Sequence, residues 1–228
     1  MKKTSPLKKC VRILRNTLIA LFLLSITSVI TFRYLPVPFT PLMIVNSTKH
    51  LLKGESPKFH HQWVNAEDIA PHLVGAVVAA EDQRFFEHHG FDFDQIQKAI
   101  DERIEGKRFR GGSTISQQTA KNVFTFCSST WTRKAVEAYF TILIEIFWSK
   151  ERILEVYLNS IEMGIDIYGA EALAQEHFNC SAKKLSKREC ALIAATLPNP
   201  QVYSSKKPSK YMRKRQSQIL KQMRNLGY

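Results

Sequence analysis

Glu81 and Asp82 are the first residues whose position in the sequence suggests chemistry. They directly follow IAPHLVGAVVAA at 69–80, a stretch of small and apolar residues that predicts a buried helix. A carboxylate at the end of such a helix loses part of its hydration, which raises its pKa towards the range of a general base or acid. A solvated helix end is the alternative interpretation of the same pair.

A second polar stretch predicts an anion-binding site. EDQRFFEHHGFD begins at Glu81 and includes Arg84, and GGSTISQQTAK follows at 111–121. Two glycines before a helix N-terminus leave backbone N–H groups free to face an anion. The residue order differs from that of a nucleotide P-loop, so a nucleotide site is not indicated. The alternative to an anion-binding site is a capped helix whose polar face is solvated. The side chains available here are Ser113, Thr114, Gln117, Gln118 and Lys121.

Two later helices carry further charged residues. Arg133 and Glu137 are four residues apart on a helix predicted at about 132–148, so a surface ion pair is the simplest interpretation. The rest of that helix is strongly apolar, which argues against full exposure of the pair. Glu155 belongs to a helix predicted at about 150–159, where packing with polar ends is the simplest interpretation for most residues.

The elements that must position these residues are mostly helices. Capping signals mark the helix that follows Ser113 or Thr114, the one that follows Ser149 and the one that follows Ser186. One face of 93–104 is apolar, and residues 59–64 are the best candidate for a short strand. The tail from Pro208 places four apolar residues on one side of a basic helix: Met212, Ile219, Met223 and Leu226.

An apolar run near the N-terminus predicts a membrane anchor. Seventeen uncharged, mostly apolar residues lie between Arg15 and Arg33, which is roughly the length needed to cross the hydrocarbon core of a bilayer. Six basic residues precede the run, so the positive-inside rule places the N-terminus in the cytoplasm. A cleaved signal peptide is the alternative, but the proline-rich segment 36–41 follows instead of a small-residue cleavage site, and we interpret it as a stiff extended spacer.

The net charge of +13 belongs to the two ends of the chain. Residues 1–33 contain seven basic residues and residues 206–228 contain eight, and neither segment has an acidic residue. Subtracting these 15 from the 33 basic residues leaves 18 basic against 20 acidic residues in 34–205. A nucleic-acid-binding protein is therefore disfavoured. The 44% hydrophobic content also excludes an intrinsically disordered chain.

Six motifs together resemble the peptidoglycan glycosyltransferases of family 51. They occur in the family's order and at its approximate spacing over about residues 36–227: EDQRFFEHHGFD, GGSTISQQTAKNVF, RKAVEA, KERILEVYLN with EMG, YGAEALAQEHF, and LIAATLPNP. One of these motifs alone would be a weak signal, whereas six in order point to the family. Cys180 and the IDIYG segment depart slightly from the family pattern, outside the two glutamates that matter for catalysis.

The resemblance implies a mainly α, lysozyme-like glycosyltransferase domain behind one N-terminal transmembrane helix. It implies an enzyme that polymerises lipid II into β-1,4-linked glycan strands, with inversion and with release of undecaprenyl diphosphate. The expected organisation is a basic cytoplasmic leader at 1–15, the anchor at 16–33, a membrane-proximal spacer at 34–58, the glycosyltransferase domain at 59–205, and a basic amphipathic helix packed on the domain at 206–228.

The resemblance also assigns roles to individual residues. Glu81 matches the general base that takes the proton of the acceptor's sugar 4-hydroxyl, and Glu137 matches the second glutamate near the donor's diphosphate. Lys121 and Arg133 match basic residues that meet this diphosphate. The other expected substrate-binding residues are Arg84, Ser113, Thr114, Gln117, Gln118 and Glu155.

A diphosphate is a weakly basic leaving group, so one base with cationic surroundings suffices for inverting transfer. We therefore expect no required cofactor and no protein metal ligands, although the family often shows a divalent cation, Mg or Mn, at the diphosphate. The expected partners are lipid II, the growing glycan chain, membrane lipid and other cell-wall synthesis proteins, with no nucleic acid. The expected location is the bacterial inner membrane, with the catalytic domain in the periplasm.

Two other functions remain as alternatives. A membrane-bound lytic transglycosylase cleaves glycan with a single glutamate and needs no diphosphate site, so GGSTISQQTAK and RKxxE argue against it. A non-catalytic scaffold of the same fold would normally have lost Glu81 or Lys121. Export would also place Cys127, Cys180 and Cys190 in an oxidising space, and the sequence leaves open whether any of them pair.

Overall fold

The computed structural model describes residues 6–56, 59–106, 112–126 and 130–228. The chain divides into two compact units, Met1–Pro36 and Val37–Tyr228. Gly111, the first glycine of GGSTISQQTAK, and Cys127 lie outside the described residues. The helices within them are α1 Pro6–Tyr34, α2 Pro41–Leu52, α3 Pro71–Glu81, α4 Phe93–Ile104, α5 Ile115–Phe124, α6 Trp131–Phe147, α7 Lys150–Ser160, α8 Ala170–Phe178, α9 Lys187–Ala194 and α10 Lys210–Asn225.

The first unit consists of α1 and the residues around it. Residues Leu7–Tyr34 form a candidate membrane span of 28 residues, with a mean hydropathy of 1.9 in its most apolar window. A helix of this length extends roughly 40 Å, more than the hydrocarbon core of a bilayer requires. The helix begins at Pro6, so it includes most of the basic leader as well as the predicted anchor.

The centre of the second unit is α3. Six of its eleven residues are buried, among them Leu73, Ala76 and Val77, because its small side chains allow other helices to approach closely. Helices α9 and α10 pack against it and against each other. The buried helix predicted from IAPHLVGAVVAA is thus confirmed, and the C-terminal helix packs on the same unit.

Helix α5 packs against α6 and α7 on another side of this unit. The rings of Phe124 on α5 and Phe140 on α6 are stacked, with centroids 4.5 Å apart and planes 3° from parallel. Thr114, Thr130 and Ser149 cap the N-termini of α5, α6 and α7 through their hydroxyl groups. These caps fix where the three helices begin.

A small three-stranded sheet lies beside the helices in the order β1-β3-β2. Its strands are β1 His60–His61, β2 Glu162–Gly164 and β3 Ile167–Tyr168. Strand β1 runs parallel to β3, and β2 runs antiparallel to it. The predicted strand at 59–64 shortens to β1, while β2 and β3 are elements that the sequence patterns did not reveal.

Three local features differ from the sequence-based expectations. The stretch interpreted as a membrane-proximal spacer contains α2, whose N-terminus is capped by Thr40 and which contacts α5. The apolar face of α4 is largely exposed, with Phe93 at 73% and Ile104 at 80% exposure. On α10, Met212, Ile219 and Met223 are buried as predicted, but Leu226 follows the end of the helix and is exposed.

Candidate active site

Glu81 is the last residue of α3 and is partly buried. Its Oε2 accepts a hydrogen bond from Nε2 of Gln118 at 3.0 Å. Burial raises the pKa of Glu81 above its ordinary value, whereas the Gln118 hydrogen bond and the positive charge of Arg215 lower it in part. A carboxylate in this environment has the properties of a general base, because it is more basic than a solvated glutamate and is held in place.

Gln118 lies on α5 and is itself held from its other end. The hydroxyl of Tyr157 on α7 donates to Oε1 of Gln118 at 3.2 Å. Tyr157 is fully buried. Side chains from α7, α5 and α3 therefore form one continuous chain of hydrogen bonds that ends at the carboxylate of Glu81.

Asp82 joins the end of α3 to the beginning of α5. Its Oδ2 accepts the backbone N–H of Ile115, the first residue of α5, at 3.0 Å. Both of its carboxylate oxygens also lie 3.0 Å from Nε2 of His88. Asp82 and His88 are both buried, so this pair is part of the scaffold that positions Glu81 and Gln118.

The predicted donor-binding stretch begins with the cap of α5. The hydroxyl of Thr114 accepts the N–H of Gln117 at 3.2 Å, and the side-chain oxygen of Gln117 accepts the N–H of Thr114 at 3.0 Å. Both side chains are buried by this reciprocal pairing. Ser113 and Lys121 are exposed and Gln118 is partly exposed, so a ligand can reach these three members of the stretch.

A second charged cluster lies at the beginning of α6. Arg133 Nη1 is 2.5 Å from one oxygen of Glu137, and the Nζ of Lys134 contacts the other. Glu137 is only 3% exposed, so its charge is almost completely enclosed by these two cations. The Nε of Arg133 is buried and has no hydrogen-bond partner among the described residues, which leaves it as an unsatisfied donor beside the cluster.

Two of the predicted substrate-binding residues, Arg84 and Glu155, form ion pairs within the fold. Arg84 forms ion pairs with Glu87, Asp92 and Asp94, at 2.9, 3.1 and 2.5 Å, and these carboxylates raise its pKa. Arg84 thereby holds together the segment that follows α3.

Glu155 is engaged in the same way. Its Oε1 accepts the N–H of Ala66 at 3.1 Å, and its Oε2 accepts a bond from Arg152 at 2.5 Å. The substrate-binding roles of Arg84 and Glu155 stay predictions, because these contacts give both side chains a structural role.

The structure brings Glu81 and Gln118 into direct contact, and Arg133 and Glu137 likewise. Helix α5 is hydrogen-bonded to the end of α3 through Gln118 and Glu81, and it also packs on α6. It therefore connects the Glu81–Gln118 pair with the Arg133–Glu137 pair. Sequence reasoning did not select Arg215, which lies beside Glu81, or the hydroxyl of Tyr157. Arg215 lies in a basic run in which nothing distinguishes an inward-facing cation from its neighbours.

A family model described as Transglycosylase matches residues 48–224. The chain belongs to this transglycosylase family. The matched range includes every residue of the candidate site described above. The mainly helical, lysozyme-like glycosyltransferase fold that the resemblance implied is therefore confirmed, as is the prediction that the chain is an enzyme.

Several curated relatives of this transglycosylase carry the name biosynthetic peptidoglycan transglycosylase. One from Bacteroides thetaiotaomicron is 57% identical over 223 residues, which cover 98% of this chain and 90% of the relative. One from Pasteurella multocida is 50% identical over 210 residues, 91% of this chain and 85% of the relative. One from Caulobacter vibrioides is 48% identical over 212 residues, which cover 91% of this chain and 90% of the relative.

The arrangement of carboxylates in this transglycosylase bears on where a divalent cation could bind. No group of three or more His, Cys, Asp and Glu side chains among them is arranged to hold a metal ion. Glu137, the buried carboxylate of the α6 cluster, already has both oxygens bound to Arg133 and Lys134. A magnesium or manganese ion would have to displace one of these cations to reach it.

Proposed function

We propose that this transglycosylase polymerises lipid II into β-1,4-linked glycan strands, with inversion at the anomeric carbon and release of undecaprenyl diphosphate. Membership of the family and the names of its relatives make the chain a peptidoglycan transglycosylase of cell-wall biosynthesis. The observation that carries the finer proposal is the partly buried carboxylate of Glu81, which has a raised pKa and a fixed hydrogen bond from Gln118.

Glu81 acts as the general base in this proposal. It takes the proton from the 4-hydroxyl of the acceptor sugar while that oxygen forms a bond to C1 of the donor. The bond between C1 and the diphosphate oxygen breaks at the same time, and its electron pair leaves with the diphosphate. Attack from the face opposite to the leaving group inverts the configuration at C1 and gives the β linkage.

The leaving diphosphate carries negative charge and needs cations rather than a proton donor. Lys121 is exposed on α5, so it can meet this anion directly. Arg133 is partly exposed and carries a buried Nε with no hydrogen-bond partner among the described residues. Glu137 holds Arg133 and Lys134 in place through its two ion pairs. Its role in this proposal is to orient the cations near the diphosphate, whereas Glu81 accepts the proton.

Ser113, Thr114 and Gln117 belong to the same proposal as parts of the donor-binding stretch. Ser113 is exposed and can donate its hydroxyl to the substrate directly. Thr114 and Gln117 act by fixing the N-terminus of α5, whose positive end favours an anion. Arg84 and Glu155 act less directly, since their charges are already paired within the fold.

The test is the conversion of labelled lipid II into polymer by the purified full chain in detergent or in vesicles. Glu81→Gln should abolish polymer formation, and Glu151→Gln, an exposed glutamate at the start of α7, is the matched control. Full polymerisation by Glu81→Gln would remove Glu81 from its role as base. Shortening of preformed glycan by the wild-type chain, without any synthesis, would favour a lytic enzyme instead.

A second experiment examines the α6 cluster. Glu137→Gln should lose most of the activity, because Arg133 and Lys134 would no longer be held by a buried negative charge. Unchanged activity in this variant would leave a structural ion pair as the better account.

We also propose that the protein's own cations neutralise the diphosphate. Treatment with EDTA should therefore leave most of the polymerisation activity intact. A complete loss of activity that Mg²⁺ or Mn²⁺ restores would contradict this.

We further propose that α1 anchors the enzyme in the bacterial inner membrane, with its N-terminus in the cytoplasm and the catalytic unit in the periplasm. The basic residues that begin α1 and its apolar length support this orientation. Cys10 is exposed near the start of α1, so its labelling shows on which side of the membrane the N-terminus lies. In spheroplasts, a membrane-impermeant maleimide should label Cys10 only after lysis, and labelling of intact spheroplasts would reverse the orientation. Association with other cell-wall synthesis proteins stays a prediction.

A further inference from the structure

The amide group of Gln118 lies between two groups of different chemistry. Its Nε2 donates to the Glu81 carboxylate at 3.0 Å, and its Oε1 accepts from the Tyr157 hydroxyl at 3.2 Å. The three residues come from α5, α3 and α7, three different helices. Each end of the amide therefore has a defined partner.

The chemistry of the three groups allows one orientation of this amide. An ionised carboxylate has acceptors only, so the NH₂ end of Gln118 must face Glu81. The carbonyl end then needs a donor, and the phenolic O–H supplies it. The reverse orientation would place two acceptors, the amide carbonyl and the carboxylate, against each other.

We propose that Tyr157 is a positioning residue for the transfer reaction, because its hydroxyl fixes the orientation in which Gln118 donates to the general base. The proposal rests on the function proposed above, in which Glu81 accepts the proton. Tyr157 does not touch the reacting atoms; it acts through Gln118.

The surroundings of Tyr157 suit this role. The side chain is fully buried on α7, which packs directly on α5, so the ring has little freedom to move away from Gln118. Burial, with the negative charges of Glu81 and Asp82, raises the pKa of Tyr157 well above its ordinary value. The phenol therefore stays protonated and remains a donor wherever the enzyme is active.

Loss of the phenolic donor has two expected consequences. Gln118 would be free to turn, so the carboxylate of Glu81 would lose its fixed hydrogen bond for part of the time. That hydrogen bond lowers the pKa of Glu81, so without it the pKa rises and the base becomes ionised only at higher pH. A structural role for Tyr157 would lower the amount of folded enzyme but would not move this pKa.

The experiment compares Tyr157→Phe with Tyr168→Phe. Tyr168 is also fully buried, and its hydroxyl accepts a bond from Asn46 at 2.8 Å, away from Glu81. Both variants remove one buried hydroxyl and keep the ring. Tyr157→Phe should lower kcat about tenfold, because the hydrogen bond from Gln118 to the charged Glu81 is no longer fixed, and should move the acidic limb of the kcat/KM profile to higher pH. Tyr168→Phe should leave the limb in place.

A double-mutant cycle with Gln118→Ala separates the proposal from general loss of stability. If Tyr157 acts through Gln118, Tyr157→Phe should have almost no further effect on kcat in the Gln118→Ala background. Additive losses in the cycle would overturn the proposal. So would an acidic limb in Tyr157→Phe that coincides with that of the wild-type enzyme.

A measurement without substrate distinguishes this proposal from the proposed function. The titration of Glu81 is followed by infrared spectroscopy as the carboxyl C=O band that Glu81→Gln removes. Tyr157→Phe should raise this pKa to near its value in Gln118→Ala, whether or not lipid II is the substrate. An unchanged pKa would overturn the positioning role, while a failure of the wild-type enzyme to polymerise lipid II would overturn only the function.

Discussion

Arg215 donates a hydrogen bond to the main-chain carbonyl of Ala80 at 3.2 Å, although 135 residues separate the two in the chain. Its guanidinium therefore lies beside the last turn of α3. Burial raises the pKa of the adjacent Glu81, and the positive charge of Arg215 partly opposes that rise. The C-terminal helix thus helps to keep the proposed base ionised.

Replacement of Arg215 should change the pH dependence of the enzyme. In Arg215→Met the pKa of Glu81 should rise further, because burial would act with less opposition. The acidic limb of kcat/KM for lipid II polymerisation should move to higher pH, with activity recovering under alkaline conditions. Arg213→Met, on the exposed face of the same helix, should keep the wild-type limb; an identical limb in Arg215→Met would show that this cation does not influence the base.

Asp82→Ala should destabilise the protein and reduce its activity. The substitution leaves the N–H of Ile115 and the Nε2 of His88 without their buried acceptor, at a cost of about 1–3 kcal/mol for each group. The start of α5 would no longer be fixed to the end of α3, so Gln118 would lose its place beside Glu81. Thermal unfolding and polymerisation assays measure the two effects. Asp101→Ala, on the exposed face of α4, should change stability by less than about 0.5 kcal/mol, and similar losses in both variants would contradict this account.

Gly90→Ala should be more destabilising than Gly54→Ala. Both glycines have a positive φ, +89° and +74°, which costs an alanine roughly 1–2 kcal/mol. At Gly90 a Cβ would also lie 2.9 Å from Cγ2 of Thr141 and 3.1 Å from Cγ of Glu145, whereas at Gly54 it would meet nothing within 4 Å. We expect the crowding to add about 1–3 kcal/mol. Chemical denaturation of the two variants measures the difference, and equal losses would show that the segment after α3 yields to the added methyl group.

Glu162→Gln should stabilise the protein more at alkaline than at acidic pH. Burial, together with the charge of Asp166, raises the pKa of Glu162 to about 7. A carboxyl group with a raised pKa in the folded state contributes stability that is complete below its unfolded pKa, and this contribution is lost as the pH rises through about 7. The glutamine cannot ionise, so the variant should become more stable than the wild-type protein as the pH rises through about 7. Melting temperatures as a function of pH test this, with Glu102→Gln on α4 as the control, and an advantage independent of pH would count against it.

Much of the helical fold could be predicted because its signals are local. Thr114, Ser149 and Ser186 each cap a helix that begins one residue later, since a short polar side chain can bond to the N–H groups of the first turn. The sequence 69–80 is apolar on most sides, and α3 is correspondingly buried. These features depend on neighbours within a few residues.

The elements that were not predicted depend on distant partners. Strands β2 and β3 are only three and two residues long, too short to show an alternating pattern. Residue Asn159, next to them, bonds to both the N–H and the carbonyl of Val64 through its side chain, a contact between segments 95 residues apart. No periodicity in the sequence predicts such a pairing.

The candidate site shows the same division. Glu81 and Gln118 were selected because each belongs to a distinctive local motif, but their hydrogen bond was not predictable from either motif. Among eight basic residues at 206–228, the sequence could not show that Arg215 is the one that reaches α3. Tyr157 was not selected because packing with polar ends is the simplest interpretation for most residues of its helix, and no local pattern shows which residue its hydroxyl reaches.

The contact between α10 and α3 also affects when the enzyme can become active. The helix that ends with Glu81 precedes the helix that carries Arg215 in the chain by more than 120 residues. A nascent chain that has not yet reached α10 would have the carboxylate but lack the cation and the packing surface beside it. The environment of Glu81 is therefore complete only after α10 has been synthesised.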